Sequence, residues 1–378
     1  MPAASATLAD ADALRHAVEI SGARFETDAY GPQAVRGGAK PDFALLQSGA
    51  VALLPDHGLL SLAGDDRVRF LHSMTTNDVE HQPVSQARWH GLCTPKGRLL
   101  ATLLAWRDAT AIWLMLPRPQ AESVRKRLAM YVLRARVKVE DRSDAKVVLG
   151  LCGAHAAETL RARGLPVPAA FEVAEATLGG HVPTVPGGDA SVQATVIGLA
   201  PIGAGRGEDG VPLPRWLLVV PVDSLATLWP QLAGTLQPVG SAAWRWTDVR
   251  SGVARIVPAT AEQFVPQMIN FDTIGGVSFD KGCYPGQEIV ARSHYLGKVK
   301  RRVHLAHVDD AEPAPGTEVF GAAADPVGVV VLAAPAPGGG TDLLFEAQAA
   351  AVAGGDVLRM GDSVLRIEPL PYALPAGG

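Results

Sequence analysis

Cysteine is scarce in this chain: three residues in 378, Cys93, Cys152 and Cys283, lie far apart and form no C-x-x-C pair. That argues against a disulfide framework and against a structural zinc site, and it points to a reducing compartment. Charge of one sign is lacking too. Thirty-four Lys and Arg stand against 38 Asp and Glu, a formal net charge of −4. Composition therefore gives no reason to expect general affinity for nucleic acid or for an anionic membrane. No run of about 18 apolar residues occurs, so no membrane-spanning helix is expected. The opening MPAASATLADADALRHAVEI has no basic stretch followed by an apolar one, and its acidic residues do not suit a mitochondrial-type leader. We expect a soluble, cytoplasmic protein. The ten histidines are scattered, and no mononuclear metal site is expected.

What is present is ample core material. Hydrophobic residues make up 48% of the chain, enough for two or three packed domains, while 40 Gly and 29 Pro imply many turns. The first 42 residues are Ala- and Gly-rich and read as a variable lead-in. GLLSLAG alternates like a strand, and Asp65 or Asp66 can cap a helix in DDRVRFLHSMTTNDV. ARWHGLCTPKGRLLATLLAWRDATAIWLML reads as three strands with turns at Thr94–Gly97 and around Asp108, followed by an amphipathic helix and a strand ARVKVE. A second unit of the same kind follows, with strand KVVLGLCG, helix AHAAETLRARG, a loop-rich middle, strand RWLLVVP and helix VDSLATLWPQLAG. Beyond Lys298 the period is two, as in VKRRVHLAHV and PVGVVVLAA, which predicts a small β-barrel. The fold class is α+β: two tandem ferredoxin-like units and a C-terminal barrel. The divisions are residues 43–143 for the first unit, completed by 244–298, residues 144–243 for the second, and residues 299–378 for the barrel.

One stretch carries chemistry: FDKGCYPGQEIVARSHYLGKVKRR, from Phe279 to Arg302. Gly282 and Gly286 permit backbone angles closed to other residues, and Pro285 fixes one more, so the loop is built to hold one shape. QEIVARSHYL can follow as a helix, with Glu288 and Arg292 paired one turn apart and Gly297 as its stop. Cys283 would then sit at the positive end of that helix near the Lys281 ammonium, and both favour thiolate. The alternative is a small buried hydrophobe in a plain turn. Tyr284 reads as a packing residue. Gln287 either holds the loop or offers its amide to a ligand.

GGVSFDKGCYPGQEIVAR resembles the signature of the YgfZ family, folate-binding proteins related to the T-protein (aminomethyltransferase) of the glycine cleavage system. GDDRVRFLHSMTTNDV, TPKGRLLATLL, FVPQMINFD and IEPLPY resemble family blocks in the same order, from about residue 50 to 374. The resemblance implies a three-domain ring around a central channel, a reduced folate such as tetrahydrofolate in that channel, and Cys283 facing it. It also implies a role in making or repairing iron-sulfur clusters in client enzymes, including ones that modify tRNA. Client enzymes or assembly factors would be partners, with no direct contact to nucleic acid or membrane. Trp244 in AAWRWTDVRSG matches the position of a tryptophan that lies against the folate, although the residue alone reads as core.

The chain departs from its T-protein relatives. They carry an aspartate in the block matching TPKGRLLATLL, where Leu100, Ala101 and Thr102 stand here. Without that carboxylate, aminomethyl transfer by their route is not expected. Arg250 replaces a usual carboxylate; it would meet the folate's own carboxylates or pair at the surface. His57 stands where some relatives place an aromatic contact, while the residue alone reads as a surface histidine. Gly203–Gly207 lacks nucleotide-loop spacing, and the run from Lys298 to Arg302 reads as a solvated strand edge. Three separated cysteines do not make a cluster site, so any cluster would share ligands with a partner or second copy. Catalysis itself stays open: accessory protein, tetrahydrofolate-dependent transferase and thiol-redox enzyme each fit the residues.

Overall fold

The computed structural model of the chain describes residues 14–36, 43–178, 192–202, 212–295 and 299–375. The Gly203–Gly207 stretch, Gly297 and Lys298 lie outside the described residues.

Residues 14–20 are helical (α1), and β1 (Arg24–Asp28) and β2 (Gly31–Val35) form a hairpin. This segment is no mere lead-in. Ala17 and Val18 are fully buried in the second unit, and the Ala333 amide donates to the Tyr30 hydroxyl at 2.7 Å. An Ala- and Gly-rich stretch shows no clear period, so only its contacts reveal that it is built in.

After α2 (Phe43–Ser48) and β3 (Ala50–Leu53), the chain lays down β4 (His57–Ala63), α3 (Arg67–His72), β5 (Arg88–Cys93), β6 (Leu99–Arg107), β7 (Ala111–Pro117), α4 (Ala121–Tyr131) and β8 (Lys138–Asp141). Five of these strands form an antiparallel sheet in the order β5-β6-β7-β4-β8. The period of two sorts its faces. Leu60, Leu62, Ala101, Leu103, Ile112 and Leu114 meet α3 and α4, while Leu59, Leu104, Trp106 and Met115 point to the centre of the molecule. Helix α3 is shorter than its sequence suggests. Asp66 occupies its N-cap, but the carboxylate accepts the Arg136 amide at 2.7 Å instead of capping.

The second unit comprises β9 (Lys146–Cys152), α5 (Ala154–Ala162), β10 (Val173–Leu178), β11 (Val192–Ile202), β12 (Leu213–Pro221), α6 (Leu225–Ala233) and β13 (Gln237–Val239). Its sheet runs β10-β11-β12-β9-β3-β13. Two expectations are corrected here. The loop-rich middle contains two strands, β10 and β11, whose glycine- and proline-rich surroundings hid them; pairing with β12 brings them into the sheet. Strand β3, placed by sequence in the first unit, pairs antiparallel with β9 and in parallel with β13, since its four buried residues need a partner on each edge.

Helix α7 (Ser241–Arg250) then enters the space between the sheets, and irregular chain leads to α8 (Gln287–Tyr295). The last unit is a nearly closed, barrel-like sheet of β14 (Arg301–Val308), β15 (Glu318–Phe320), β16 (Pro326–Pro335), β17 (Thr341–Gln348), β18 (Arg359–Met360), β19 (Ser363–Val364) and β20 (Arg366–Glu368), with one short helix α9 (Ala349–Ala353). Its order is β19-β18-β15-β16-β17-β14-β20. The central core draws on both sheets, α7 and barrel residues such as Val303, Leu305 and Leu344.

Arg302 ties the barrel to the preceding chain through a two-pronged bond to Asp272, at 2.6 and 2.9 Å, with both side chains buried. Removing one partner of such a pair leaves a desolvated charge, at a cost of about 3–5 kcal/mol. Asp272→Ala is therefore expected to lower the urea midpoint sharply; a midpoint within experimental error of the wild type would refute this assignment of the Arg302 pair.

Candidate functional site

Residues Trp244 and Asp248 of α7 and the following Ser251 fall at i, i+4 and i+7, on one helical face. They wall a pocket between the two sheets together with His57, Trp89, Phe171, Arg215 and Arg255. The Trp244 indole lies on Gly150 of β9, where any Cβ would stand 2.4 Å from the ring, so only glycine admits it. The free volume is ≈ 30 Å³, room for about one or two ordered waters.

The accessible wall is mostly apolar, and several polar atoms of the lining residues lie behind it with no hydrogen-bond partner. Trp89 Nε1, Trp244 Nε1, and Arg255 Nε and Nη2 are buried with no hydrogen-bond partner. Arg255 is nevertheless firmly held: its Nη1 donates to Asp56 Oδ2 at 3.3 Å and reaches His57 Nε2 at 3.1 Å, and Nη2 lies 3.6 Å from Asp248. Since arginine only donates, His57 Nε2 accepts, and Nδ1 carries the proton toward Asp56 Oδ1 at 2.9 Å. Burial alone would raise the Asp56 carboxyl, but the hydrogen bond from His57 and the positive charges of Arg255 and Arg245 hold it well below the usual range. Arg215 Nη1 binds Asp248 at 3.1 Å and Thr247 at 2.8 Å.

Several residue readings change in this light. His57 is not on the surface; it is buried and lines the pocket. Arg250 neither meets the pocket nor lies at the surface: it is buried and binds Glu368 and Asp342 of the barrel. Its place on α7 turns it toward that unit. Thr102 is buried, and its hydroxyl accepts the Ile256 amide at 3.1 Å, so the block that lacks the transferase carboxylate is used structurally. The sequence reading missed Trp89, Arg215, Asp248 and Arg255. The W-x-x-x-D-x-x-S spacing of α7 was the one available signal; the others come from strands and a loop far away in sequence.

The Lys281–Glu288 loop packs on the Thr94–Gly97 turn. Gly286 has φ +84°, and a Cβ there would stand 2.4 Å from the Thr94 carbonyl oxygen; Gly97, at φ +71°, faces it. Gly282, by contrast, needs no left-handed backbone, and a Cβ there would meet only His72 Nε2, at 3.7 Å. The Lys281 ammonium donates to the carbonyl oxygens of His72 and Thr75 and sits 4.6 Å from the Tyr284 ring centre. Burial lowers Lys281 to about 8. Tyr284 is buried, and Gln287 Nε2 donates to the Lys281 carbonyl at 3.4 Å, a loop-holding contact. Glu288 and Arg292 are both exposed and do not pair with each other. Cys283 is exposed, lies four residues before the start of α8 and is not part of the pocket wall. The first α8 amides are used locally, Gln287 N donating to Tyr284 O at 3.2 Å and Ile289 N to Gly286 O at 3.2 Å. Cys93 and Cys152 are buried, and burial pushes both thiols up to about 12.

No family model matches this chain. It is 30% identical over 328 residues to the tRNA-modifying protein YgfZ of Yersinia enterocolitica, covering 85% of this chain and 92% of that relative. The chain belongs to the YgfZ family. The Vibrio vulnificus YgfZ is 28% identical over 270 residues, covering 71% of this chain and 74% of its own. In fold, the chain is similar to the glycine cleavage system aminomethyltransferase T of Bartonella henselae, with a TM-score of 0.68 at 17% identity, covering 96% of this chain and 97% of that one. This YgfZ-family member therefore has the T-protein fold, and likeness at that identity speaks for the fold alone.

Gly286→Ala would force a side chain into the Thr94–Gly97 turn at a positive φ. The expected cost is about 1–3 kcal/mol, with faster proteolysis between residues 279 and 288. An unchanged unfolding midpoint and cleavage pattern would show that the turn contact is dispensable.

Proposed function

We propose that this protein is a folate-binding accessory protein that supports the assembly or repair of iron-sulfur clusters in client enzymes, tRNA-modifying enzymes among them, with Cys283 as its functional thiol. The observation that carries the reading is the pocket. Its lining residues include two indoles, Arg255 and one carboxylate, Asp248, and both indole N–H groups and two Arg255 nitrogens are buried without acceptors. These residues fit the pterin ring of a reduced folate: Trp244 and Trp89 offer aromatic faces, Arg255 and the indole N–H groups meet acceptors, and Asp248 accepts from ring donors. When bound, a reduced folate supplies a nitrogen carrier for one-carbon units.

This chain's own residues bind, orient and exclude water. The Asp56–His57–Arg255 chain fixes the guanidinium from behind, so a ligand meets a preset donor. The names of the YgfZ relatives support the tRNA-linked part of the proposal, and the exposure of Cys283 suits contact with a partner.

A one-carbon transferase has one observation in its favour, the Asp248 carboxylate in the pocket wall. Against it, Arg215 and Arg255 both engage that carboxylate, and Thr102 stands in the transferase block.

Calorimetric titration with tetrahydrofolate, with tryptophan fluorescence followed in parallel, tests the binding claim. Saturable binding is expected, weakened by roughly tenfold or more in Trp244→Ala and in Arg255→Met, since a charged hydrogen bond contributes about 1.5–3 kcal/mol. Absence of wild-type binding would overturn the folate reading. Cys283→Ala is expected to bind tetrahydrofolate normally yet fail to restore iron-sulfur enzyme activity in a deletion strain. Full restoration would remove the thiol role, and turnover of an aminomethyl donor would favour the transferase.

A further inference from the structure

We propose that a second cavity, between the N-terminal hairpin and the barrel, binds a free α-amino acid with a small apolar side chain, its carboxylate toward Arg245 and its ammonium toward Asp28 and Glu312. This goes beyond the folate reading and does not depend on it.

The cavity has a free volume of ≈ 210 Å³, against ≈ 30 Å³ for the pocket beside Trp244, and the two share no wall residue. A cavity of ~150 Å³ already admits benzene, so a molecule of amino-acid size fits. The separation of the two sites follows from α7. Trp244 and Arg245 are consecutive, and consecutive residues of a helix turn to different faces, Trp244 to the pocket between the sheets and Arg245 to the hairpin.

The inner wall carries donors. Arg245 is part of it, with a side chain 6% exposed. Its Nη2 donates to Asp28 Oδ2 at 3.0 Å and its Nη1 to Gln33 Oε1 at 3.3 Å; each of these nitrogens carries a second hydrogen, and Nε has no hydrogen-bond partner. The Tyr30 hydroxyl accepts the Ala333 amide at 2.7 Å, which leaves its own O–H to donate, and burial raises this phenol so that it keeps its proton. Thr341 Oγ1 is buried in the same wall without a partner. The mouth carries acceptors instead, the exposed Asp28 and Glu312. Every other lining residue is alanine or proline.

Charge selects the ligand class. An anion that reached Arg245 would also face two carboxylates, and a cation held by those carboxylates would face the guanidinium; a zwitterion meets each with its opposite. Asp28 and Arg245 are in contact at 3.0 Å, so the two charges of the ligand must be equally close, as they are on an α-amino acid, where ammonium and carboxylate share one carbon. The alanine and proline wall offers a ligand side chain no hydrogen bond, so a polar side chain would be buried at a cost and a small apolar one is favoured.

The test is calorimetric titration of the full chain, without folate or client protein, with L-alanine, L-valine and L-leucine. The comparison ligands are the amine and the acid left when the amino acid loses one charged group, isobutylamine and 3-methylbutanoate for valine. Saturable binding of at least one amino acid is expected, with its amine and its acid each weaker by roughly tenfold or more, since each forfeits one charge-assisted contact. Glu312 is exposed and makes no ion pair among the described residues, so Glu312→Gln is expected to keep the wild-type unfolding midpoint while weakening binding roughly threefold. No saturable binding by any of the three amino acids would overturn the proposal. An amine or an acid that binds as tightly as its parent amino acid would overturn the zwitterion assignment, and unchanged affinity in Glu312→Gln would overturn the part given to that carboxylate.

Discussion

The structure depends on the desolvation of helix α7. A helix of ten residues with eight of them buried, Arg245 and Arg250 among them, is stable only if each charge meets a partner on another unit. Arg245 binds Asp28 of the N-terminal hairpin at 3.0 Å and lies 4.0 Å from the Tyr30 ring centre. Trp246 donates to Asp342 of the barrel at 2.8 Å, and Arg250 binds Asp342 and Glu368. Asp248 meets Arg215 of the second sheet. One helix thus fixes the hairpin, both sheets and the barrel at once, and the pocket is the gap left on its Trp244 face.

The same requirement explains why charged groups stand behind a mostly apolar pocket wall. Arg255 is buried, so Asp56, His57 and Asp248 surround it, and its Nε and Nη2 are left without hydrogen-bond partners. Unmet buried donors carry a cost in the free protein, which a ligand with acceptor edges relieves. The pocket and the fold are therefore held by one charge network. The thiol loop is held by other means, two facing glycines and one anchored lysine, and so presents Cys283 outward.

Particular elements show what was legible. The strands β5, β6 and β7 and the helix α4 follow from alternation, turn residues and amphipathic spacing, because their partners are adjacent in sequence. Strand β3 did not, since its partners β9 and β13 lie about 100 and 190 residues further on, and nothing local specifies a distant edge. His57 and Arg250 were misplaced for a related reason. Whether a polar residue is on the surface or buried depends on a partner such as Asp56 or Glu368, and single-residue chemistry does not reveal one.

By itself the sequence determined the α+β class, the C-terminal barrel and the family, because these rest on local periodicity and on a long contiguous motif. Tertiary structure alone decided that the N-terminal hairpin is built in, that Arg255 and Asp248 define the pocket beside Trp244 and that Arg250 belongs to the barrel interface. The physical reason is range: hydrogen bonds within turns and helices join near neighbours, whereas buried charges are satisfied by whichever distant residue the packing brings to them.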